Sequence, residues 1–342
     1  MIGRSRVSVA VGVWGVIHGL VLLGGLLAPY GFATQHRDFP FAPPSRIHFV
    51  DSQGGWHPRP WVYRLVPDKN AGFGYREDQS EKFPIRFLVR GDPYKILGWS
   101  SFETHLVGVD RPAKLFLAGT DSLGRDVFSR ILIGGQLSVM AGLLATVVAL
   151  GIGLAVGMVA GFYGGWRDAA LMRGAELFLA LPWLYLLLGL RAFMPLRVST
   201  IQSFFLVVLV IGIVGWARPA QLVRNLVATL REREFFVAAR STGSANARLI
   251  RSHVLPHVTS PILTQGALLV PRYIMAEVTL SFFGLGVGEP FPSWGNMLAD
   301  LQNYHVLVSY WWMLLPGIPL VIVSLGYYGF ASWIRVGGKL PT

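Results

Sequence analysis

The chain has no cysteine among its 342 residues, which excludes disulfides, thiolate metal ligands and thiol catalysis, and leaves its redox compartment unspecified. Charged residues are also scarce, at 14%, well below the share usual in a soluble globular protein. Several catalytic signatures are missing. No stretch reads as a nucleotide-hydrolysing P-loop: the nearest, the tail GGKLPT, lacks both the glycine spacing and a hydroxyl directly after Lys339. There is no G-x-S-x-G nucleophile elbow. His253 and His257 have the i,i+4 spacing of metal ligands, but Pro256 interrupts the helix and no glutamate adjoins them, which argues against a zinc protease. Gly284, Gly286 and Gly288 follow an apolar run rather than a Rossmann strand and read as a flexible turn.

What the chain does have is apolar length: 53% hydrophobic residues and 40 glycines, the profile of an integral membrane protein. Its net charge of +12 is not arranged as a basic stripe among exposed aromatics, so it points to membrane orientation rather than nucleic acid. Runs near 7–27, 138–162, 171–194, 201–218, 258–285 and 309–333 approach or exceed the roughly 20 residues that cross a hydrocarbon core of about 30 Å. The fold expected is an all-α integral membrane protein of six transmembrane helices, with a β-containing extracytoplasmic insertion between the first two. Residues 1–29 are read as an anchor helix, with a cleaved signal peptide as the rival; LLAPYGF lacks a small-x-small cleavage site, which favours the anchor. Residues 30–118 form the insertion. They hold many prolines and the aromatics Trp56, Trp61, Tyr63, Phe73, Tyr75 and Trp99, and the segment PIRFLV (84–89) alternates as a strand does.

Within the apolar part, Gly153, Gly157 and Gly161 make a stripe that lets another helix approach closely. Glu176, Arg191, Arg272 and Glu277 are charges inside apolar runs. Arg191, near the end of its run, is expected to snorkel; Glu277 is the candidate for lining a pathway or bonding a neighbouring helix. Arg4, Arg6, Arg167, Arg173, the arginines from 224 to 251, Arg335 and Lys339 fall on one side of the six-span topology. The stretch 286–308 has no Lys or Arg. The positive-inside rule then puts both termini in the cytoplasm, with Arg191 and Arg197 opposing it.

Two polar stretches carry the candidate sites. Residues 230–257, LREREFFVAARSTGSANARLIRSHVLPH, read as two short helices around a bend. Gly243 adopts the left-handed conformation there, Ser244 caps the second helix at about 245–254, and that helix ends before Pro256. Leu249 with His253 and Ile250 with Val254 fall on neighbouring faces, while Arg248 and Arg251 reach water or an acidic partner. Residues 119–142, GTDSLGRDVFSRILIGGQLSVMAG, offer turns at Gly119 and Gly124 and an acidic residue, Asp126, suited to a helix N-terminus. Asp121, Arg125, Asp126 and Arg130 are read either as interfacial ion pairs or as functional groups.

Ala238 and Ala239, then Gly243, then Leu255 with Pro256 thirteen residues past that glycine, resemble the EAA loop of ABC importer permeases. Val237 stands where that loop usually has Glu. Residues 119–142 and AEVTLSFFGLGVGEPFPSWGNMLAD at 276–300 resemble the dipeptide, oligopeptide and nickel branch. The resemblance implies that 119–342 is the permease domain, one transmembrane subunit of an ATP-driven importer for peptides or related small solutes, including nickel complexes. It implies that the cytoplasmic loop 224–257, through Ala238, Ala239, Gly243, Ser244, Leu249, Ile250, Leu255 and Pro256, docks the ATPase. It places Asp121, Arg125 and Asp126 at the outer surface, shaping the translocation entrance. The implied partners are a second permease subunit, two ABC ATPase domains, an extracytoplasmic substrate-binding protein and the lipid membrane, with no nucleic acid. No cofactor or metal is expected on this chain, which is not itself an enzyme; ATP and Mg belong to the ATPase subunits. The alternatives are an ion-coupled secondary transporter, which needs buried carboxylates near broken helices, and a membrane-embedded enzyme resting on His253 and His257.

Overall fold

The computed structural model describes residues 4–51, 54–68, 70–71, 73–96, 100–195 and 198–335. Trp99, Arg197 and Lys339, which enter the sequence reading, lie outside them. Two compact units result: one comprises the chain up to Gly15, Val139–Gly286 and the chain from Val321, and the other Val16–Ser138 and Val287–Leu320.

Helix α1 (Arg4–Leu22) and the short α2 (Gly24–Leu27) open the chain. Five strands follow: β1 (His48–Val50), β2 (Trp56–Pro67), β3 (Tyr75–Pro84), β4 (Arg86–Ile96) and β5 (Ser100–Gly108). They make two antiparallel sheets, β1-β2-β3 and β4-β5. PIRFLV is therefore not one alternating strand. It is the junction between the sheets, with Ile85 between β3 and β4, Leu88 at a positive φ of 54°, and Phe87 and Leu88 both exposed. The inner sheet residues Val62 and Phe83 pack with Ile85, Ala113 and Leu115, and Ala42 with Leu65 and Phe116.

The remaining helices are α3 (Val127–Tyr163), α4 (Gly165–Ala180), α5 (Trp183–Ala192), α6 (Thr200–Gly215), α7 (Ala217–Arg231), α8 (Glu234–Ser241), α9 (Asn246–Leu249), α10 (Leu255–Phe282), α11 (Trp294–Ala299), α12 (Tyr304–Ser309) and α13 (Gly317–Arg335). Among the described residues, Val127–Tyr163 and Trp311–Arg335 are each long and apolar enough to cross a membrane. The pairs α4–α5, bent by 92°, and α6–α7, bent by 43°, raise this to four if each pair is one span. The first bend has a local cause: Leu181 precedes Pro182, whose ring drives the residue before it out of the helical region, and Leu181 sits at φ −77°, ψ 138°. Pro219 lies in the first turn of α7, where its missing N–H is not needed.

The glycine stripe meets α7. A Cβ at Gly153 would lie 2.5 Å from the Pro219 side chain, at Gly157 2.5 Å from the Ala220 carbonyl, and at Gly161 2.8 Å from the Arg224 carbonyl. Small residues let the two backbones touch, and Arg224 paired to Asp168 fastens α7 to α4 as well. The helix leading into the 230–257 stretch is thus held on two sides.

Arg191 does not snorkel. It is 2% exposed and donates through Nε to the Leu285 carbonyl at 2.8 Å and through Nη2 to Ser203 Oγ at 3.4 Å. Ser203 Oγ in turn donates to the Gly286 carbonyl at 2.8 Å. Freed carbonyls of the turn after α10 give the guanidinium better partners than a distant interface would, so it ties α5, α6 and that turn together.

Candidate functional site

The bend at 241–245 is a Schellman closure of α8. Gly243 has φ +78°, its N–H donates to Arg240 O at 3.1 Å, and the Ser244 N–H donates to Ala239 O at 3.3 Å. The orphan carbonyls at the end of α8 are satisfied, and the chain reverses into α9. Ser244 contributes this backbone donor and no side-chain cap, since the N-cap of α9 is Ala245. The second helix also does not stop before Pro256. Ile250–Val254 form a π-turn that runs directly into α10. The widened turn closes through the Leu255 N–H and the Ile250 carbonyl. Pro256 follows as the second residue of α10, and the widened turn accommodates its missing N–H.

Phe236, Leu249 and Val254 are the inward face of this knuckle, buried with Phe162, Val223, Val227 and Val258. Each such burial is worth about 1.5–3 kcal/mol relative to water exposure. Ile250 and Ala239 pack against this cluster partly buried, and Leu255 is half-buried. Ala238, Gly243, Pro256, Arg248 and Arg251 face outward, beside the exposed apolar side chains of Phe235 and Val237. The arrangement is a rigid, partly apolar, basic-rimmed projection. His257 Nδ1 pairs with the His253 carbonyl at 2.9 Å, and among the described residues no cluster suited to a metal ion is found.

In the other unit, Gly119 and Gly124 both take positive φ, +73° and +71°, as their turns require. Between them Asp121 is 3% exposed and accepts from the Leu123 and Arg125 N–H groups at 2.9 Å each. The Arg125 Nε lies 2.7 Å from Asp121 Oδ2, and its two Nη atoms lie 2.5 and 3.2 Å from the Glu289 carboxylate. Arg130 Nη2 reaches the same carboxylate at 3.1 Å. Burial pulls the Arg125 guanidinium down, but the Glu289 hydrogen bond and the Asp121 charge hold it above its ordinary value.

Sequence reasoning did not find Glu289. Its pairing spans 164 residues, and no local pattern announces it. Among the described residues Asp126 has no ion-pair partner: its Oδ2 accepts from the Ser129 N–H at 2.8 Å and Oγ at 2.6 Å, making it the N-cap of α3. Its Oδ1 is buried with no hydrogen-bond partner among those residues, and burial pushes the carboxyl up to about 7. Glu277, wholly buried on α10, accepts from Ser281 Oγ at 2.6 Å, one turn along the same helix.

Helices long and apolar enough to cross a membrane, with the charges of Arg191 and Glu277 buried among the helices, mark a membrane protein. Residues 153–335 match the family described as "Binding-protein-dependent transport system inner membrane component", and the chain belongs to that family. Its relatives include the dipeptide transport system permease protein DppC of Alkalihalophilus pseudofirmus, 35% identical over 64% of this chain and 69% of that protein. The oligopeptide transport system permease protein OppC of Escherichia coli K12 is 39% identical over 62% and 68%. The probable D,D-dipeptide permease DdpC of the same strain is 34% identical over 67% and 76%. Among solved structures, an amino acid ABC transporter aligns over 61% of this chain and 94% of that one, at TM-score 0.46 and 17% identity. The chain is accordingly a membrane-located transport subunit and not itself an enzyme.

Proposed function

We propose that this chain is one of two permease subunits of an ATP-driven importer of peptides, with nickel complexes as an alternative cargo, and that the knuckle at 230–257 transmits the ATPase stroke. Support for the peptide cargo comes from the relatives, named as dipeptide and oligopeptide permeases. Support for coupling comes chiefly from one observation: Gly243 at φ +78° fixes a hard bend whose inner face is buried and whose outer face is free.

On this reading the loop docks an ATPase domain through Ala238, Ala239, Gly243 and the α9 turn, while Leu249, Ile250 and Leu255 seat it on α3, α7 and α10. Two ATPase domains hold ATP and Mg, and a substrate-binding protein delivers cargo from outside. ATP-driven closure biases a two-state equilibrium between outward and inward access. The topology that goes with this is six spans, with α1 and α10 added to the four above, both termini in the cytoplasm, and the stranded 30–118 segment outside. Asp121, Arg125 and Asp126 then hold the outer entrance in shape, and Glu277 packs within the helical bundle.

The test is reconstitution of the complex with its copurifying subunits in lipid vesicles. Uptake of labelled trialanine that needs both ATP and the binding protein is expected; uptake that continues without any ATPase subunit favours the ion-coupled alternative.

A further inference from the structure

Among the described residues, Arg218 and Arg272 in the helical unit have no acidic partner and line one cavity. Arg218, on the first turn of α7, and Arg272, on α10, both line a cavity of about 240 Å³ walled by Phe178, Leu181, Trp183 and Tyr273. The Arg272 guanidinium lies over the Trp183 ring at 4.9 Å. Among the described residues, neither arginine has a hydrogen-bond or ion-pair partner, whereas Arg125, Arg130 and Arg224 are all paired. The Tyr273 hydroxyl is already committed, donating to the Gly215 carbonyl at 3.0 Å, and so serves as wall.

The depth of the pair decides what kind of group would neutralise it. Arg272 stands about 25 Å along α10 from Leu255 and about 15 Å from Phe282, at 1.5 Å per residue. Arg218 stands about 20 Å along α7 from Arg231. Arg218 is exposed at the bend of the α6–α7 pair, about 27 Å along that pair from Thr200, so both arginines stand away from the ends of the apolar runs that carry them. Unneutralised charge at such depth is costly, and it persists where it lines a water-filled path or meets a ligand. The cavity also sits where both bent helix pairs break, at Leu181–Pro182 and at Trp216, and α5 begins there at Trp183 without a side-chain cap. Its positive helix end adds to the two guanidinium groups.

We propose that Arg218 and Arg272 form a subsite inside the translocation path that binds the free carboxylate of the solute, with the aromatic walls holding its apolar part. This deepens the peptide-import reading and rests on it for the solute: the group bound would be a peptide's C-terminal carboxylate. A carboxylate donated by a partner permease subunit is the competing occupant.

Leu181 is exposed and the chain has no cysteine, so Leu181→Cys places a single reporter thiol in this subunit at the cavity wall. In the reconstituted complex, its rate with 2-sulfonatoethyl methanethiosulfonate is compared with that of the trimethylammonioethyl reagent, each relative to a free thiol. An anionic preference of roughly tenfold is expected from the uncompensated charge. Combining Arg218→Gln with Arg272→Gln should bring the ratio near one, while Arg218→Lys with Arg272→Lys, which keeps the charge, should preserve it. Trialanine should slow the labelling and trialanine amide should not. A ratio at or below one with both arginines present, or a thiol closed to both reagents, overturns the subsite. An anionic preference with protection by acetate, but neither protection by nor uptake of trialanine, leaves the subsite standing and removes the peptide reading.

Discussion

Arg125 lies between two carboxylates, with Nε 2.7 Å from Asp121 and Nη1 2.5 Å from Glu289, so one guanidinium fastens the 119–142 motif to the turn that follows the α10 segment. The three partners differ in burial: Arg125 and Asp121 side chains are 8% and 4% exposed, that of Glu289 52%. Removing the cation leaves buried Asp121 with two backbone N–H donors and the more distant Arg130 at 3.7 Å, whereas neutralising Glu289 affects a group that water already screens. Arg125→Met should therefore cost on the order of 2–3 kcal/mol and Glu289→Gln about 1 kcal/mol or less. Thermal unfolding of the detergent-solubilised protein reads the difference. Equal losses from the two variants would contradict this account of the network.

Asp126 gives a pH dependence of definite sign. Its carboxyl is raised from 3.8 to about 7 by burial, so the fold favours the neutral acid, which the unpartnered Oδ1 is free to carry. The folded state binds a proton that the unfolded state has released, so this contribution is fully present below pH 4 and is lost as pH rises toward about 7. Asp126→Asn, which keeps an acceptor for Ser129, should flatten that part of the stability profile between pH 4 and 7. Asp126→Ala should lose the cap at every pH, by about 1 kcal/mol. A wild-type profile that runs parallel to that of Asp126→Asn across this window would show that Asp126 is ionised in the fold.

The absence of cysteine makes the topology directly measurable. Single cysteines at Ser80, Gly165, Ser244 and Asn303 should label with a membrane-impermeant maleimide in two groups: Ser80 and Asn303 from outside, Gly165 and Ser244 from the cytoplasmic side. Labelling of Ser80 and Ser244 from the same face would overturn the six-span arrangement.

What was legible in the sequence is what local chemistry decides. Gly243, Gly119 and Gly124 read correctly because a left-handed backbone is a one-residue property, and the 153, 157, 161 stripe because helical periodicity puts those positions on one face. Where an outcome depended on distant partners, the reading fell short. Ser244 reads as a cap, but the closure of α8 puts the start of α9 one residue later, with Ala245 at its N-cap. Pro256 read as a stop until the π-turn at Ile250–Val254 absorbed it. Arg191 read as a snorkel because its carbonyl partner Leu285 is 94 residues away. Arg218 and Arg272 became a pair only when α7 and α10 were brought to one cavity.

The coupling role of the 230–257 knuckle is tested most directly at Gly243. Its Cβ position is open, with no atom within 4 Å, so Gly243→Val acts through backbone strain at φ +78° and not through a clash. The strain is worth roughly 1–3 kcal/mol, enough to reorient α9 while the membrane helices stay folded. Ser244→Ala is the control: without a side-chain cap to lose, it should behave as the parent. The measurement is the ratio of trialanine imported to ATP hydrolysed in reconstituted vesicles, with pull-down of the ATPase subunit to confirm assembly. The account predicts that Gly243→Val lowers this ratio or abolishes ATP hydrolysis altogether, with Ser244→Ala unchanged. A fully inserted, assembled Gly243→Val complex that imports at the parent ratio would contradict it and reduce the knuckle to a basic anchor.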